Sequence, residues 1–452
     1  MKDLTAGSIP GHIASMSIQM AIGILVQTLY FFTDLYFVSK CGDTSIAGLS
    51  TAGNLWFVVL ALTQILSVGT VAMVSHAVGA QQRDRANLVF NQALTISLVI
   101  GMSVFVGVNL VAGPYMHKVA ADEATARAGI EYLRWFSPGL GLQFLMVAMF
   151  STLRATGIVL PTMILQIFSV LVNIALAPVL IVGWGTGHAM GTAGAGLASS
   201  IACVVGLLMS AYYFHKHEKY VAIHREQMRP QFPVLNRLLM IGLPVGMEFF
   251  LMSVTMFVIY VLVKDFGSAA QAGIGTGQTV MRIIMLPAMA VAFAAAPIGG
   301  QNFGARRPER VRETFRYTAL ISIVIMLLLT LLCQFESRTF MRVFTHEEPV
   351  VAVGAEMLTL ISWNFVANGF IFSCSSMFQA LGNTWPSVIS SAIRVVMFVF
   401  PAIWVGLRPG FQLHEMWYVS IVTMFLQMII SYVFVRREFA KRLTPLAAPA
   451  PA

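Results

Sequence analysis

The chain has 452 residues, of which 58% are hydrophobic and only 10% are charged, and its mean hydropathy is +0.79. Soluble domains carry about 25% charged residues, so this composition excludes a water-soluble fold and makes lipid the main solvent of the chain. The formal net charge of +9 is consistent with basic loops that face anionic lipid headgroups, and we expect no nucleic-acid partner.

Twelve apolar runs are each long enough to cross a bilayer as a helix, which takes about 20 residues. In chain order, the predicted spans are 13–38, 47–78, 90–113, 130–153, 160–183, 190–214, 238–263, 272–302, 316–335, 354–380, 386–407 and 412–435. The second and eighth spans are long and could be bent. Most Lys and Arg residues fall in cytoplasmic segments if the N-terminus is cytoplasmic, so we expect both termini on that side.

The longest predicted cytoplasmic loop, from His215 to Arg237, is polar and basic and lies near the middle of the chain. It predicts one six-helix bundle at 1–215, a cytoplasmic linker at 216–237 and a second six-helix bundle at 238–435. Residues 436–452 are expected to form a cytoplasmic tail, with a disordered Ala- and Pro-rich end after Leu443.

An internal repeat relates the two halves at an offset of 225 residues. Matching pairs include Gly42 with Gly267, Gly48 with Gly273, Gly129 with Gly354, and Gly157 with Gly382. Because the offset contains six spans, both halves share one topology. The predicted fold is therefore an all-α integral membrane protein, with 12 transmembrane helices in two pseudo-two-fold-related six-helix bundles. This architecture favours transport over catalysis.

Apart from Glu131, Glu356 and Glu415, each in the first four residues of a span, two acids fall within the predicted spans, where each charge costs a few kcal/mol on insertion scales. Asp34 lies late in the first span, and desolvation favours the protonated form of a buried carboxylate. Asp34 could exchange a proton, help to ligate sodium, or be a hydrogen-bonded acid near the outer surface. Its repeat partner is Ile259, so any Asp34 chemistry belongs to the first half only.

Glu248 lies roughly 15 Å into the seventh span, and Arg394 lies roughly 12 Å into the eleventh, at 1.5 Å per residue. The two could form a structural ion pair within the second bundle. Alternatively, Glu248 could be a second protonatable site or a contact for cationic substrates. Asn173 and Ser199 are polar groups in the fifth and sixth spans, and such residues often only join helices by hydrogen bonds. Gly191–Gly196 is expected to allow close helix packing.

Several segments together resemble the multidrug and toxic compound extrusion (MATE) family, prokaryotic type, over almost the whole chain. The segments that carry the resemblance are Asp34 with Gly42 and Ala47-Gly48, 75–80, 153–157 with Pro161, Asn173, 194–199 and 242–244. The resemblance implies a secondary active antiporter, with bulky and often cationic small-molecule substrates exchanged for protons or sodium. It also implies a multi-pass protein of a bacterial or archaeal plasma membrane that functions as a monomer among membrane lipids, without a cofactor.

The resemblance further implies that Asp34 is a cation-coupling residue. In one branch of the family the matching acid works with an Asn, here Asn173, an Asp four residues later, and a Thr in the sixth helix, here Ser199. Ala177 replaces that second Asp, and Met252 stands where other members carry an acid in the seventh helix. Fewer anionic ligands weaken a sodium site, so the sequence favours H+ as the coupling ion, with sodium at Asp34 and Asn173 left open.

The sequence favours antiport over three other functions. A flippase for lipid-linked saccharides, from a related superfamily branch, would favour a strongly basic cavity or additional helices. A membrane enzyme is disfavoured because no catalytic constellation or ATPase motif is visible, so we expect a protein that is not an enzyme. A channel is normally formed by several subunits around a pore, so it would not need two related halves within one chain.

Overall fold

The computed structural model describes residues 2–444, which are almost entirely helical. The helices are α1 (Ile9–Ser39), α2 (Asp43–Gly79), α3 (Arg83–Val119), α4 (Glu123–Ala155), α5 (Leu160–Ala177), α6 (Gly191–Lys216), α7 (Phe232–Val263), α8 (Ser268–Gly304), α9 (Pro308–Arg342), α10 (Glu348–Ile361), α11 (Trp363–Leu381), α12 (Trp385–Gly406) and α13 (Leu413–Arg442). A π-helical turn, Pro178–Val182, extends α5. The predicted tail is helical as far as Arg442, and its end lies outside the described residues.

Within residues 2–444, eleven helices are long and apolar enough to cross a membrane, and a bent pair raises the number to twelve. The all-helical, polytopic fold class is thereby confirmed. The pair is α10 and α11, which meet at Ser362 with a bend of 53°. The predicted span 354–380 is thus two helices, whereas the long α2 and α8 are each continuous over 37 residues.

Side chains of α9 stabilise the break between α10 and α11. Thr330 donates to the carbonyl of Ser362 (2.8 Å), and Gln334 donates to the carbonyl of Thr359 (2.7 Å) and to the Ser362 hydroxyl (2.7 Å). Backbone groups that a broken membrane helix frees must find partners, because lipid offers none. The break therefore depends on a neighbouring helix, and no Pro or Gly marks it in the local sequence.

The chain forms two compact units, whose limits depart from the predicted ones. Unit 1 comprises Met1–Asp3 and Gln19–Gly242, and unit 2 comprises Leu4–Ile18 and Leu243–Ala452. The start of α1 therefore belongs with the second half of the chain. The predicted linker at 216–237 belongs to unit 1, rather than standing between two bundles.

Polar side chains of α3 hold the linker within unit 1. Asn91 donates to the carbonyl of Ala222 (3.0 Å) and accepts from the amide of His224 (2.9 Å). Gln92 accepts from the amide of Gln231 (2.7 Å) and donates to two further linker carbonyls. The linker is consequently an attached strap with its backbone groups paired, which explains why it groups with the first half of the chain.

The N-terminal segment is held in a similar way within unit 2. The amide of Leu4 donates to the Gln301 side chain (3.1 Å), and its carbonyl accepts from Asn302 (3.1 Å). Arg307 donates to the carbonyl of Thr5 (2.6 Å), and Arg310 donates to that of Gly7 (3.0 Å). Side chains from the α8–α9 region thus fix the segment that precedes α1.

The internal repeat extends to atomic packing inside each unit. In unit 1, Gly48 packs against the backbone of α4, where a Cβ would lie 2.9 Å from the amide nitrogen of Gly129. A Cβ on Gly129 would overlap the thioether methyl of Met116. The equivalent residues of unit 2 make the same contacts: Gly273, Gly354 and Met341. These glycines allow two helices to pack closely with a Met side chain beside them.

We expect Gly48→Val to destabilise the protein, because the added side chain would meet helix backbone that cannot move aside. Overpacking of this kind costs about 1–3 kcal/mol. The thermal midpoint of purified protein in detergent measures the effect. Gly53→Val is the matched control in the same helix, because a Cβ on Gly53 meets nothing within 4 Å. Equal midpoints for the two variants would contradict the proposed role of Gly48 in packing.

Candidate functional site

Helices α1, α5 and α6 bring Asp34, Asn173 and Ser199 together inside unit 1. Asp34 is 3% exposed, and the other two residues are fully buried. The Ser199 hydroxyl donates to Asp34 Oδ2 (3.0 Å), and Asn173 Nδ2 donates to the Ser199 hydroxyl (3.4 Å). The three side chains therefore form a hydrogen-bond chain that ends on the carboxylate, in which each bond polarises the next.

Small residues at the start of α6 position Ser199. A Cβ on Gly194 would overlap the Leu180 carbonyl in the π-helical turn, and a Cβ on Gly196 would overlap the Tyr132 carbonyl of α4. These close approaches match the expectation that Gly191–Gly196 allows close helix packing. Ser199 lies about one turn beyond Gly196, so the same close approach brings its hydroxyl to Asp34.

Two oxygen atoms of this cluster are buried without a hydrogen-bond partner, namely Oδ1 of Asp34 and Oδ1 of Asn173. Both atoms can only accept when Asp34 is ionised, so the cluster has more acceptors than donors. A proton on Asp34 or a bound cation would correct this imbalance. The cluster therefore has the chemistry of a site for a proton or a small hard cation.

The oxygen atoms at this site are better suited to bind a proton than to coordinate a sodium ion. A proton needs the Asp34 carboxylate alone, whereas Na+ prefers a larger shell of oxygen ligands. Asp34, Asn173 and Ser199 offer four side-chain oxygens in all, and Ala177 adds none because its side chain is a methyl group, which is buried in an apolar cluster. Among the described residues, no group of three or more His, Cys, Asp or Glu side chains could hold a metal ion.

Two further residues lie close enough to Asp34 to be affected by its charge, Tyr132 of α4 and Cys203 of α6. Cys203 follows Ser199 by four residues and so occupies the same helix face, a spacing that is visible in the sequence. No residue of α4 is among the site residues that the sequence predicts. No motif marks Tyr132, since it reaches the site only because α4 packs against α6.

The equivalent positions of unit 2 are filled by buried apolar side chains. At the 225-residue offset, Asp34, Asn173 and Ser199 correspond to Ile259, Phe398 and Met424. These three residues are 5%, 1% and 5% exposed, respectively. The carboxylate site is therefore confined to unit 1, although the surrounding helices are repeated.

Glu248 and Arg394 both lie in unit 2, but the ion pairs formed by residues 2–444 do not include one between them. Glu248 is hydrogen-bonded to Ser387 instead, and Ser387 contacts the Ser375 hydroxyl (2.7 Å). Arg394 lies seven residues beyond Ser387, about 10 Å further along α12, which explains the missing pair. Glu248 Oε1 and Arg394 Nε are each buried without a partner.

Comparison with known proteins gives a family match in both halves of the chain. The family model described as MatE matches residues 20–179 and 244–405. Among curated relatives, the probable multidrug resistance protein YoeA of Bacillus subtilis is 24% identical over 77% of this chain and 76% of its own length. The multidrug export protein MepA of Staphylococcus aureus is 24% identical over 86% of each chain.

The fold is also found among solved structures. A structure described as the outward-facing conformation of a multidrug resistance MATE family transporter of the MOP superfamily superposes with a TM-score of 0.90. That alignment covers 99% of this chain and 98% of the other, at 24% sequence identity. At this identity, the likeness establishes a shared fold and does not transfer a conformational state.

Because the two units differ at this position, placing the residue of one unit in the other should have opposite effects on the thermal midpoint. Ile259→Asp should lower the thermal midpoint strongly, because an unpaired carboxylate among apolar side chains costs about 2.5–3.5 kcal/mol. Asp34→Ile should leave the midpoint unchanged or raise it, because replacing a buried charged group by an apolar one is often neutral or stabilising. Intrinsic fluorescence during heating in detergent measures both. A large loss of stability in Asp34→Ile would mean that the cluster serves mainly to hold the fold together.

Proposed function

Because the chain belongs to the MatE family of transporters, we propose that it exports bulky, often cationic, drugs or toxic compounds by alternating access in exchange for protons. The protein is a transporter and not an enzyme. The observation that carries the proposed coupling is the buried Asp34 carboxylate, held by Ser199 and Asn173 in a cluster with two unpartnered acceptor oxygens.

In this proposal, Asp34 couples export to proton entry through charge. The ionised carboxylate favours a cationic substrate in the same unit, and protonation removes that attraction. Binding of the proton and binding of the substrate therefore oppose each other, which is the condition for exchange. A proton taken up on the outer side promotes substrate release there, and the neutral site then carries the proton inward.

The proposal favours H+ over Na+ as the coupling ion, without a resident cofactor. Burial at 3% exposure disfavours the charged form of Asp34, so a proton can be held without any other ligand. Sodium remains the second candidate, with Asp34 Oδ1 and Asn173 Oδ1 as its ligands. We further propose a monomeric, multi-pass protein of the plasma membrane with both termini in the cytoplasm.

Glu248 is proposed as a second-lobe contact for the positive charge of the substrate. It carries a buried oxygen without a partner, and Arg394, which lies in the same unit, forms no ion pair with it. Glu248 does not occupy the position of Ile259, which is the repeat equivalent of Asp34. Glu248 and Asp34 therefore have different roles in this proposal. Asp34 couples the cycle to protons, and Glu248 improves the binding of cations.

Asp34→Asn should abolish transport driven by a proton gradient, because the amide keeps the shape and the acceptor for Ser199 but cannot take up a proton. Dye efflux from proteoliposomes, with a proton gradient or a sodium gradient imposed separately, measures the effect. We expect at least a tenfold loss, with the fold retained by thermal midpoint. Gradient-driven export that persists in Asp34→Asn would overturn the proposed coupling, and export driven only by sodium would identify Na+ as the ion.

Glu248→Gln should raise the KM for a cationic dye while proton coupling persists. Loss of one charge–charge contact of about 1 kcal/mol corresponds to a roughly fivefold change. Initial rates of dye export at fixed proton gradient measure it. Arg394→Gln is the control of opposite charge in the same unit, and it should not raise the KM. Loss of coupling in Glu248→Gln, with the KM unchanged, would instead make Glu248 a second coupling site.

A further inference from the structure

Three aromatic rings surround the ammonium group of Lys40 at the end of α1. The Lys40 nitrogen lies 4.7 Å from the centre of the Tyr36 ring, 5.4 Å from that of Phe37 and 5.3 Å from that of Trp184. Tyr36 and Phe37 precede Lys40 on the last turn of α1, whereas Trp184 comes from the turn before α6. All four residues belong to unit 1. We call the three rings the aromatic cage.

The rings of the cage stand nearly perpendicular to one another. The Tyr36 and Phe37 rings meet edge to face at 77° with centroids 5.2 Å apart, and the Phe37 and Trp184 rings meet at 85° and 6.2 Å. This arrangement presents ring faces to the cation from different directions, and the negative face of an aromatic ring attracts cations. A helix-end Lys that contacts its own preceding turn is ordinary, but here a third ring from another segment also contacts the ammonium group.

The backbone around Trp184 keeps the third ring in place. Gly183 and Gly185 have φ values of 82° and 77°, which favour glycine, and they flank the Trp on both sides. The Trp184 amide donates to the carbonyl of Pro178 (3.2 Å), and the amide of Gly187 closes the turn on Gly183 (2.9 Å). The ring is thus carried by a hydrogen-bonded turn that follows directly on the π-helical end of α5.

The cage is open and adjoins a larger recess. Tyr36 and Trp184 are 59% and 57% exposed, so the protein itself leaves both rings accessible to a molecule at the membrane surface. Lys40 also borders an open pocket of about 680 Å³, whose lining includes Met190, Arg127 and the acid Glu131. Arg127 is paired with Glu123 (3.2 Å). The recess offers room for the body of an organic cation whose charged end lies in the cage.

We propose that the aromatic cage is a peripheral binding site for quaternary ammonium and similar organic cations, and that Lys40 is its built-in competitor. A primary ammonium is strongly hydrated and gives up water reluctantly, whereas a quaternary ammonium is weakly hydrated and suits an aromatic cage. Such a ligand can therefore displace Lys40. When the ligand leaves, the tethered Lys40 returns, which keeps the affinity of the site low.

The position of the cage gives it a place in the proposed transport cycle. Lys40 follows Asp34 by six residues, about 9 Å along the axis of α1. The end of α1 faces the outside in the proposed orientation, so a cation released near Asp34 would meet the cage on its way out. This role rests on the proposed function, whereas cation binding by the cage rests on its own geometry.

Equilibrium binding of benzyltrimethylammonium to the purified full chain tests the proposal. A background of Asp34→Asn with Glu248→Gln removes the two carboxylates that the proposed function assigns to cation binding elsewhere. Lys40→Met removes the competitor but keeps the side-chain length, and it should raise the affinity about tenfold. Adding Trp184→Leu to Lys40→Met should cancel the gain. Because the readout is binding and not transport, a failure of the proposed proton coupling leaves this test unaffected.

Two controls make the test specific to a cation in a cage. Neopentylbenzene has the same shape as the probe but no charge, and it should gain no affinity from Lys40→Met. Arg408→Met is the matched variant in unit 2, where Arg408 lies 3.5 Å from the centre of the single Trp404 ring, and it should create no site. The proposal is overturned if Lys40→Met leaves the affinity unchanged, if the gain survives Trp184→Leu, or if the neutral analogue gains equally.

Discussion

A carboxylate buried among membrane helices persists only where hydrogen bonds, a proton or a cation offset the loss of its hydration. The arrangement around Asp34 meets this condition through elements distant in sequence. Ser199 donates from α6, Asn173 supports Ser199 from α5, and glycines at the start of α6 allow the approach. The helical packing of unit 1 therefore supports one buried carboxylate, whose cluster contains more acceptor oxygens than donors.

The repeat shows that this polarity is not required by the fold. Both units keep the same glycine-lined helix contact with a Met beside it, at Met116 and at Met341. Where unit 1 has its polar cluster, unit 2 has Ile259 and other buried apolar side chains. The glycine-lined helix contact is thus present in both units, whereas the polar cluster of Asp34, Asn173 and Ser199 is present only in unit 1. Glu248 gives unit 2 an acid of its own at a different position.

Hydropathy was sufficient to predict an all-helical, polytopic fold, because a span in lipid is recognisable from composition alone, whereas the two related halves were predicted from the repeat. It could not predict the break at Ser362, since the donors that satisfy the freed carbonyls come from α9. Likewise, nothing local shows that Asn91 and Gln92 bind the linker. The grouping of Asp34 with Asn173 and Ser199 came from the family resemblance, and no spacing rule would have produced it. Tyr132 was missed because its neighbours are set by tertiary packing.

The attachment of the N-terminal segment has a consequence for biosynthesis. Leu4, Thr5 and Gly7 leave the ribosome roughly 300 residues before their partners, which lie between Gln301 and Arg310. Chains generally fold from the N-terminus during synthesis, so this segment must wait while the first unit forms. Docking of the segment thus follows the synthesis of α8 and the start of α9. A tag fused before Leu4 would consequently lie beside residues of unit 2 that are translated long after it.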